Sequence, residues 1–111
     1  MADIRYSTVA INDIEQIGDY ITEILKNPVA ALNTVKKIQD AIDKLADFPL
    51  IGASLSSIVE IDTDYRFLVC GNYLVFYHLQ AADNVYIDRV LYGRRDYLAI
   101  LFEDLPNETT E

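Results

Sequence analysis

Tyr65-Arg66-Phe67-Leu68-Val69-Cys70-Gly71-Asn72-Tyr73-Leu74-Val75-Phe76-Tyr77-His78-Leu79 decides the fold of this chain. Two β-prone runs flank Gly71-Asn72, a two-residue hairpin signal. The strands of such a hairpin lie side by side. Val85 to Tyr92 is a further run of the same kind, with a turn read at Ala82-Asp83-Asn84. Ile58-Val59-Glu60-Ile61 precedes the pair and is separated from it by Asp62-Thr63-Asp64. The second half of the chain therefore reads as an antiparallel meander of three or four strands.

Upstream of that hairpin the apolar period changes. Ile14, Ile17, Ile21, Ile24 and Leu25 follow the three-and-four spacing of one helical face. Asn12 with Glu15 has the form of a capping box ahead of it. Asp13, Asp19 and Glu23 fall off the stripe and read as a solvated acidic side. Asn27-Pro28 breaks the pattern and restarts it, Asn27 as an N-cap and Pro28 at the first helical position. Ala31, Leu32, Val35, Ile38, Ile42 and Leu45 give a second stripe, closed by Phe48-Pro49. So short a connection predicts an antiparallel helical hairpin. Residues 50–57, with Gly52 and three Ser, read as a loop.

Ile4-Arg5-Tyr6-Ser7-Thr8-Val9 is β-prone and reads as a first strand. Tyr97, Leu98, Ile100, Leu101 and Phe102 suit a short helix capped by Asp96. The acidic tail 103–111 reads as frayed. The whole is one α+β domain over residues 1–111, with the helices on one face of the sheet.

Bulk properties narrow the chemistry. The 111 residues carry 18 acidic and 9 basic side chains, a formal net charge of −9, which works against a general nucleic-acid binder. No apolar run is long enough to span a membrane, and the N-terminus lacks the pattern of a secretory signal, so a cytoplasmic protein is expected. The single Cys70 cannot form an internal disulfide and sits among apolar strand residues. His78 likewise reads as a strand residue with an ordinary hydrogen-bond partner. One Cys and one His do not make a zinc site, and the four glycines are too scattered for a phosphate loop, so no cofactor or metal is expected.

Arg66, Arg89, Arg94 and Arg95, with Tyr97, remain as the candidate site. Three of these arginines fall within Arg89-Val90-Leu91-Tyr92-Gly93-Arg94-Arg95-Asp96-Tyr97, at the end of the last strand. Two readings stay open on the residues alone. Arg and Tyr together can neutralise a phosphodiester and move a proton, or grip a partner's carboxylates. Alternatively the arginines are structural, Arg89 pairing with Asp88, Asp83 or Asp62, and Arg94 or Arg95 with Asp96 or Glu103.

The order of elements, with Asn27-Pro28-Val29-Ala30-Ala31, Phe48-Pro49-Leu50-Ile51-Gly52, Tyr65-Arg66, Asn72-Tyr73-Leu74-Val75-Phe76-Tyr77 and the Arg89–Tyr97 run, resembles the RelE/ParE superfamily. These are toxins of bacterial type II toxin–antitoxin modules, also called plasmid stabilization proteins. The resemblance covers residues 4–102 and implies a cognate antitoxin bound in the groove between sheet and helices. RelE-like members cut mRNA on the ribosome. By position, Arg66, Arg94 or Arg95, and Tyr97 would be their catalytic residues. That branch also carries basic residues just before the Arg66 position, yet residues 45–65 here contain no Lys or Arg. ParE-like members poison DNA gyrase, and the Arg-Val-Leu-Tyr-Gly-Arg-Arg-Asp form resembles that branch better. Arg89, Arg94, Arg95 and Tyr97 would then contact target or antitoxin. A third reading is a non-toxic member that acts only in antitoxin binding and operon autoregulation. The toxin's own acidity implies an antitoxin held by apolar burial or by basic groups.

Overall fold

The structure is a computed structural model that describes residues 2–57, 63–80 and 84–93. The run 58–61, positions 82–83 of the expected turn, the short helix near Tyr97 and the tail 103–111 lie outside the described residues.

Strand β1 (Ile4–Tyr6) is shorter than the sequence reading, which carried it to Val9, and helix α1 (Thr8–Asp19) starts before Asn12. The cap is Ser7, not Asn12. Its hydroxyl accepts from the Ala10 N–H at 2.9 Å and donates to the Asp88 carbonyl at 2.9 Å, while its N–H donates to the Ile87 carbonyl. A Ser cap contributes about 1 kcal/mol, more than the few tenths that Thr8 and Val9 each cost in a helix.

After Asp19 the helix widens into a π-helical turn, Tyr20–Ile24. The Leu25 N–H reaches back to the Tyr20 carbonyl, and Lys26 takes a left-handed conformation at φ 56°. The wide turn shifts the phase of the stripe. Ile24 and Leu25, expected on the buried face, are therefore exposed. Asn27 caps helix α2 (Pro28–Asp43), its side chain accepting from the Ala30 N–H at 3.0 Å. Ala31, Ile38 and Ile42 are buried, as is Leu45 in the 3-10 turn Lys44–Ala46 that follows. Leu32, one residue off the Ala31–Val35–Ile38 line, is exposed instead.

Residues 50–57 are not a plain loop. They contain strand β2 (Ala53–Ser54) and a 3-10 turn, Leu55–Ser57. With β3 (Arg66–Cys70), β4 (Tyr73–Gln80) and β5 (Asn84–Tyr92) they build a five-stranded sheet in the order β1-β5-β4-β3-β2. The sheet is mixed, because β1 runs parallel to β5 at the edge, Ile4 opposite Val85 and Tyr6 opposite Ile87. β3, β4 and β5 are antiparallel neighbours, and Gly71, at φ 61°, makes the turn between β3 and β4.

Alternation along β4 sends side chains to two covered faces. Val75 and Tyr77, with Val85, Ile87 and Val90 of β5, meet Ala10, Ile14, Ile38, Ile42 and Leu45 from the helical layer. Phe76 and Leu91 meet Leu55 on the other face, beside Tyr65, Phe67 and Leu74. Leu55 is wholly buried there, which is why the expected loop is ordered into β2 and a 3-10 turn. Each fully buried side chain of this size contributes about 1.5–3 kcal/mol. Among the described residues no helix is long and apolar enough to cross a membrane.

Candidate functional site

The free edge of β5 organises the first part of the site. β1 ends at Tyr6, so beyond Ile87 this edge of β5 has no strand beside it among the described residues. Helix α1 takes over. Asp13 accepts from Arg89 Nε at 2.8 Å, from Arg89 Nη2 at 2.9 Å and from the Val90 backbone N–H at 3.0 Å. This corrects one reading and adds a partner to another. Asp13 is buried rather than on a solvated face, and α1 supplies a carboxylate to Arg89 that the sequence did not name; Asp62 and Asp83 lie outside the described residues. Counting the stripe from Ala10, which is wholly buried, places Asp13 one turn on and beside Ile14, inside the covered sector. Arg89, a candidate partner-binding residue, thus has its fork engaged inside the protein.

Beside this pair opens a groove of about 530 Å³ between α1, the π-helical turn and the β4–β5 end of the sheet. Gln16, Ile17, Tyr20, Leu25, Tyr73 and Tyr92 are among its lining. The Tyr73 and Tyr92 rings lie 5.7 Å apart. Burial pushes the Tyr73 hydroxyl above its usual pKa, and Tyr92 and Tyr20 push it further, so it remains a neutral donor. Gly93, whose N–H donates to the Asn72 carbonyl, closes the sheet next to the groove. The sequence does not single out these three tyrosines. Their only signal there is the abundance of Tyr, eight in 111 residues, with no spacing that gathers Tyr20 to the other two.

Arg66 stands at the start of β3, directly opposite Tyr77. Both hold the turn Phe48–Gly52. The Tyr77 hydroxyl donates to the Pro49 carbonyl and accepts from the Gly52 N–H, each at 2.9 Å. Arg66 Nε donates to the Gly52 carbonyl at 3.1 Å, and Nη2 makes a longer contact of 3.4 Å to the Leu50 carbonyl. The turn closes on itself through Ile51 N–H to the Phe48 carbonyl, with Pro49 at the position that favours it.

A register shift between Phe76 and Tyr77 leaves Asp88 as the extra residue of a β-bulge. Its carboxylate sits 2.7 Å from Nδ1 of His78, whose ring packs against those of Tyr65 and Tyr86. Burial raises the Asp88 pKa, and the bond and charge of His78 offset part of that rise. His78 therefore has its hydrogen-bond partner across the bulge. The Cys70 thiol is pushed up by burial, which makes it a poorer nucleophile than an ordinary cysteine. Arg94, Arg95 and Tyr97 lie outside the described residues, so Arg66 and Arg89 are the site arginines whose contacts are known, and they lie on different anchors.

A family model described as the ParE toxin of the type II toxin–antitoxin system, parDE, matches residues 4–97. Among solved structures, the chromosomal ParDE system from P. aeruginosa is similar with a TM-score of 0.69 and 21% identity, covering 83% of this chain and 96% of that one. The RelBE2 toxin–antitoxin complex from Mycobacterium tuberculosis is similar with a TM-score of 0.55 and 20% identity, covering 82% and 96%. At such identities these two likenesses bear on the fold. No curated protein sequence matches the chain.

Proposed function

The chain belongs to the ParE toxin family of type II toxin–antitoxin systems, and from that premise we propose that it inhibits DNA gyrase by protein–protein contact and is neutralised by a cognate antitoxin. The observation that carries the choice of target is the state of the two arginines whose contacts are known. Arg89 is bound bidentately to Asp13, and Arg66 is turned onto the carbonyls of Gly52 and Leu50. A ribonuclease of the RelE kind needs several cations aimed at one phosphate, where each contributes transition-state charge stabilisation. Here both are committed to the fold, and residues 45–65 supply no replacement. A protein-gripping role asks for no such cluster. The tyrosine-lined groove suits an antitoxin segment, since Tyr offers a large apolar face with a polar tip.

Purified protein added to a gyrase supercoiling assay tests this reading, alongside induction in cells. Inhibited supercoiling, with DNA breaks and an SOS response, is the expected result. Codon-boundary cuts in mRNA with unimpaired supercoiling would move the protein to the ribonuclease branch. No growth arrest at all would leave it a partner-binding regulator.

A further inference from the structure

The turn Phe48–Ile51 presents three large apolar side chains to water in four residues. Phe48, Leu50 and Ile51 are 62%, 61% and 56% exposed. Exposed apolar residues scattered singly are ordinary, but three on one tight turn form a contiguous projection. The backbone beneath them is fixed from below by the Tyr77 hydroxyl and the Arg66 guanidinium and closed by its own Ile51–Phe48 hydrogen bond. Gly52 seals the base, because a Cβ there would fall 2.6 Å from the Tyr77 hydroxyl. A buried tyrosine and a half-buried arginine thus anchor a segment whose three large apolar side chains are mostly exposed.

We propose that this turn is the contact through which the toxin grips its folded protein target, inserting Phe48, Leu50 and Ile51 into an apolar pocket rimmed by basic side chains. A convex, preorganised projection fits a preformed pocket, because little conformational entropy is lost when its anchors are immobilised. A flexible antitoxin segment instead needs a concave bed, which the tyrosine groove provides on another part of the molecule. The basic rim follows from charge. Among the described residues near the turn, Asp43 and Asp47 stand against Lys44 and the half-buried Arg66, so the bias toward a basic partner comes from the whole chain, which carries −9. Complementary charge speeds encounter and fixes orientation.

The inference rests on the toxin reading above, and the test separates the two. Full-length Leu50→Ser, Ile51→Ser and the double variant are compared with Val69→Ser, which removes an equally exposed apolar side chain from β3. Far-UV circular dichroism checks folding, and affinity is measured for purified gyrase and for the cognate antitoxin. The double variant is expected to bind gyrase at least tenfold more weakly and to relieve growth arrest. Its antitoxin affinity should stay within twofold, and Val69→Ser should behave as wild type. Gyrase affinity within twofold of wild type, or a parallel fall in antitoxin affinity, overturns the proposal. If wild type arrests growth without binding gyrase, the gyrase reading fails alone. The turn is then judged by growth, with relief by the double variant in support and persistent arrest against. A wild type that neither binds gyrase nor arrests growth overturns both.

Discussion

At Gly52 an added Cβ would fall 2.6 Å from the Tyr77 hydroxyl and 2.7 Å from the Phe67 carbonyl oxygen, and the second of these is backbone that cannot step aside. Gly52→Ala is therefore expected to lower unfolding free energy by roughly 2 kcal/mol or more in urea titration, the upper part of the range for overpacking. Unchanged stability would mean that β2 can shift away from β3. Tyr77→Phe removes the acceptor of a buried N–H and should cost about 1–3 kcal/mol. Asp88 gives a pH effect of defined sign. Its folded pKa lies above the ordinary 3.8, so its contribution to stability is greatest below that value and falls as pH rises through the folded pKa. Asp88→Asn keeps an acceptor for His78 Nδ1 yet has no charge to desolvate. Relative to wild type, its stability should improve as pH is raised from about 4 toward neutrality. A difference that is flat across that window would show that burial of the carboxylate is compensated. None of these roles was legible locally. Gly52 read as a loop residue because its constraint comes from Tyr77, twenty-five positions on.

Elements whose signals are local were legible, and those set by a distant partner were not. Asn27-Pro28 marks the start of α2 because cap and first position are adjacent in sequence. Ser7 reads as strand in the sequence because what selects it as a cap is the β5 edge, more than eighty residues away. The same edge fixes Asp13. A carboxylate there meets a guanidinium fork and the Val90 N–H, which would otherwise face the helix unpaired. Asp13→Ala should cost about 3–5 kcal/mol, since it takes from a partly buried cation the carboxylate that holds it bidentately. Adding Arg89→Met should recover part of that loss, as an apolar pair often replaces a buried ion pair at little cost. A double variant as unstable as Asp13→Ala alone would assign the whole cost to the Val90 N–H instead. An internal ion pair for the first arginine of the Arg-rich run is one of the two readings open in the sequence. Its carboxylate could not be named there, because the phase of α1 depends on where Ser7 starts it.

For the whole molecule, charge is the dominant long-range term. Nine uncompensated negative charges on a compact body repel one another more than they do on the expanded unfolded chain, so the native state bears the larger penalty. Salt relieves it, because the screening length falls from about 30 Å at 0.01 M to about 8 Å at 0.15 M. Among the described residues, two Arg or Lys ion pairs would oppose this if salt weakened them. The Asp13–Arg89 pair is largely enclosed and screened little. The exposed Lys36–Asp40 pair, at 3.6 Å, is worth only a few tenths of a kcal/mol. Relief of repulsion should therefore win. The thermal midpoint is expected to rise between those two salt concentrations, by roughly 4 °C if the gain is about 1 kcal/mol. Circular dichroism melts in sodium chloride measure it directly. A midpoint that falls with salt would show that attractive ion pairs outweigh the net charge, and the acidic surface would then be no guide to the basic rim expected of the target.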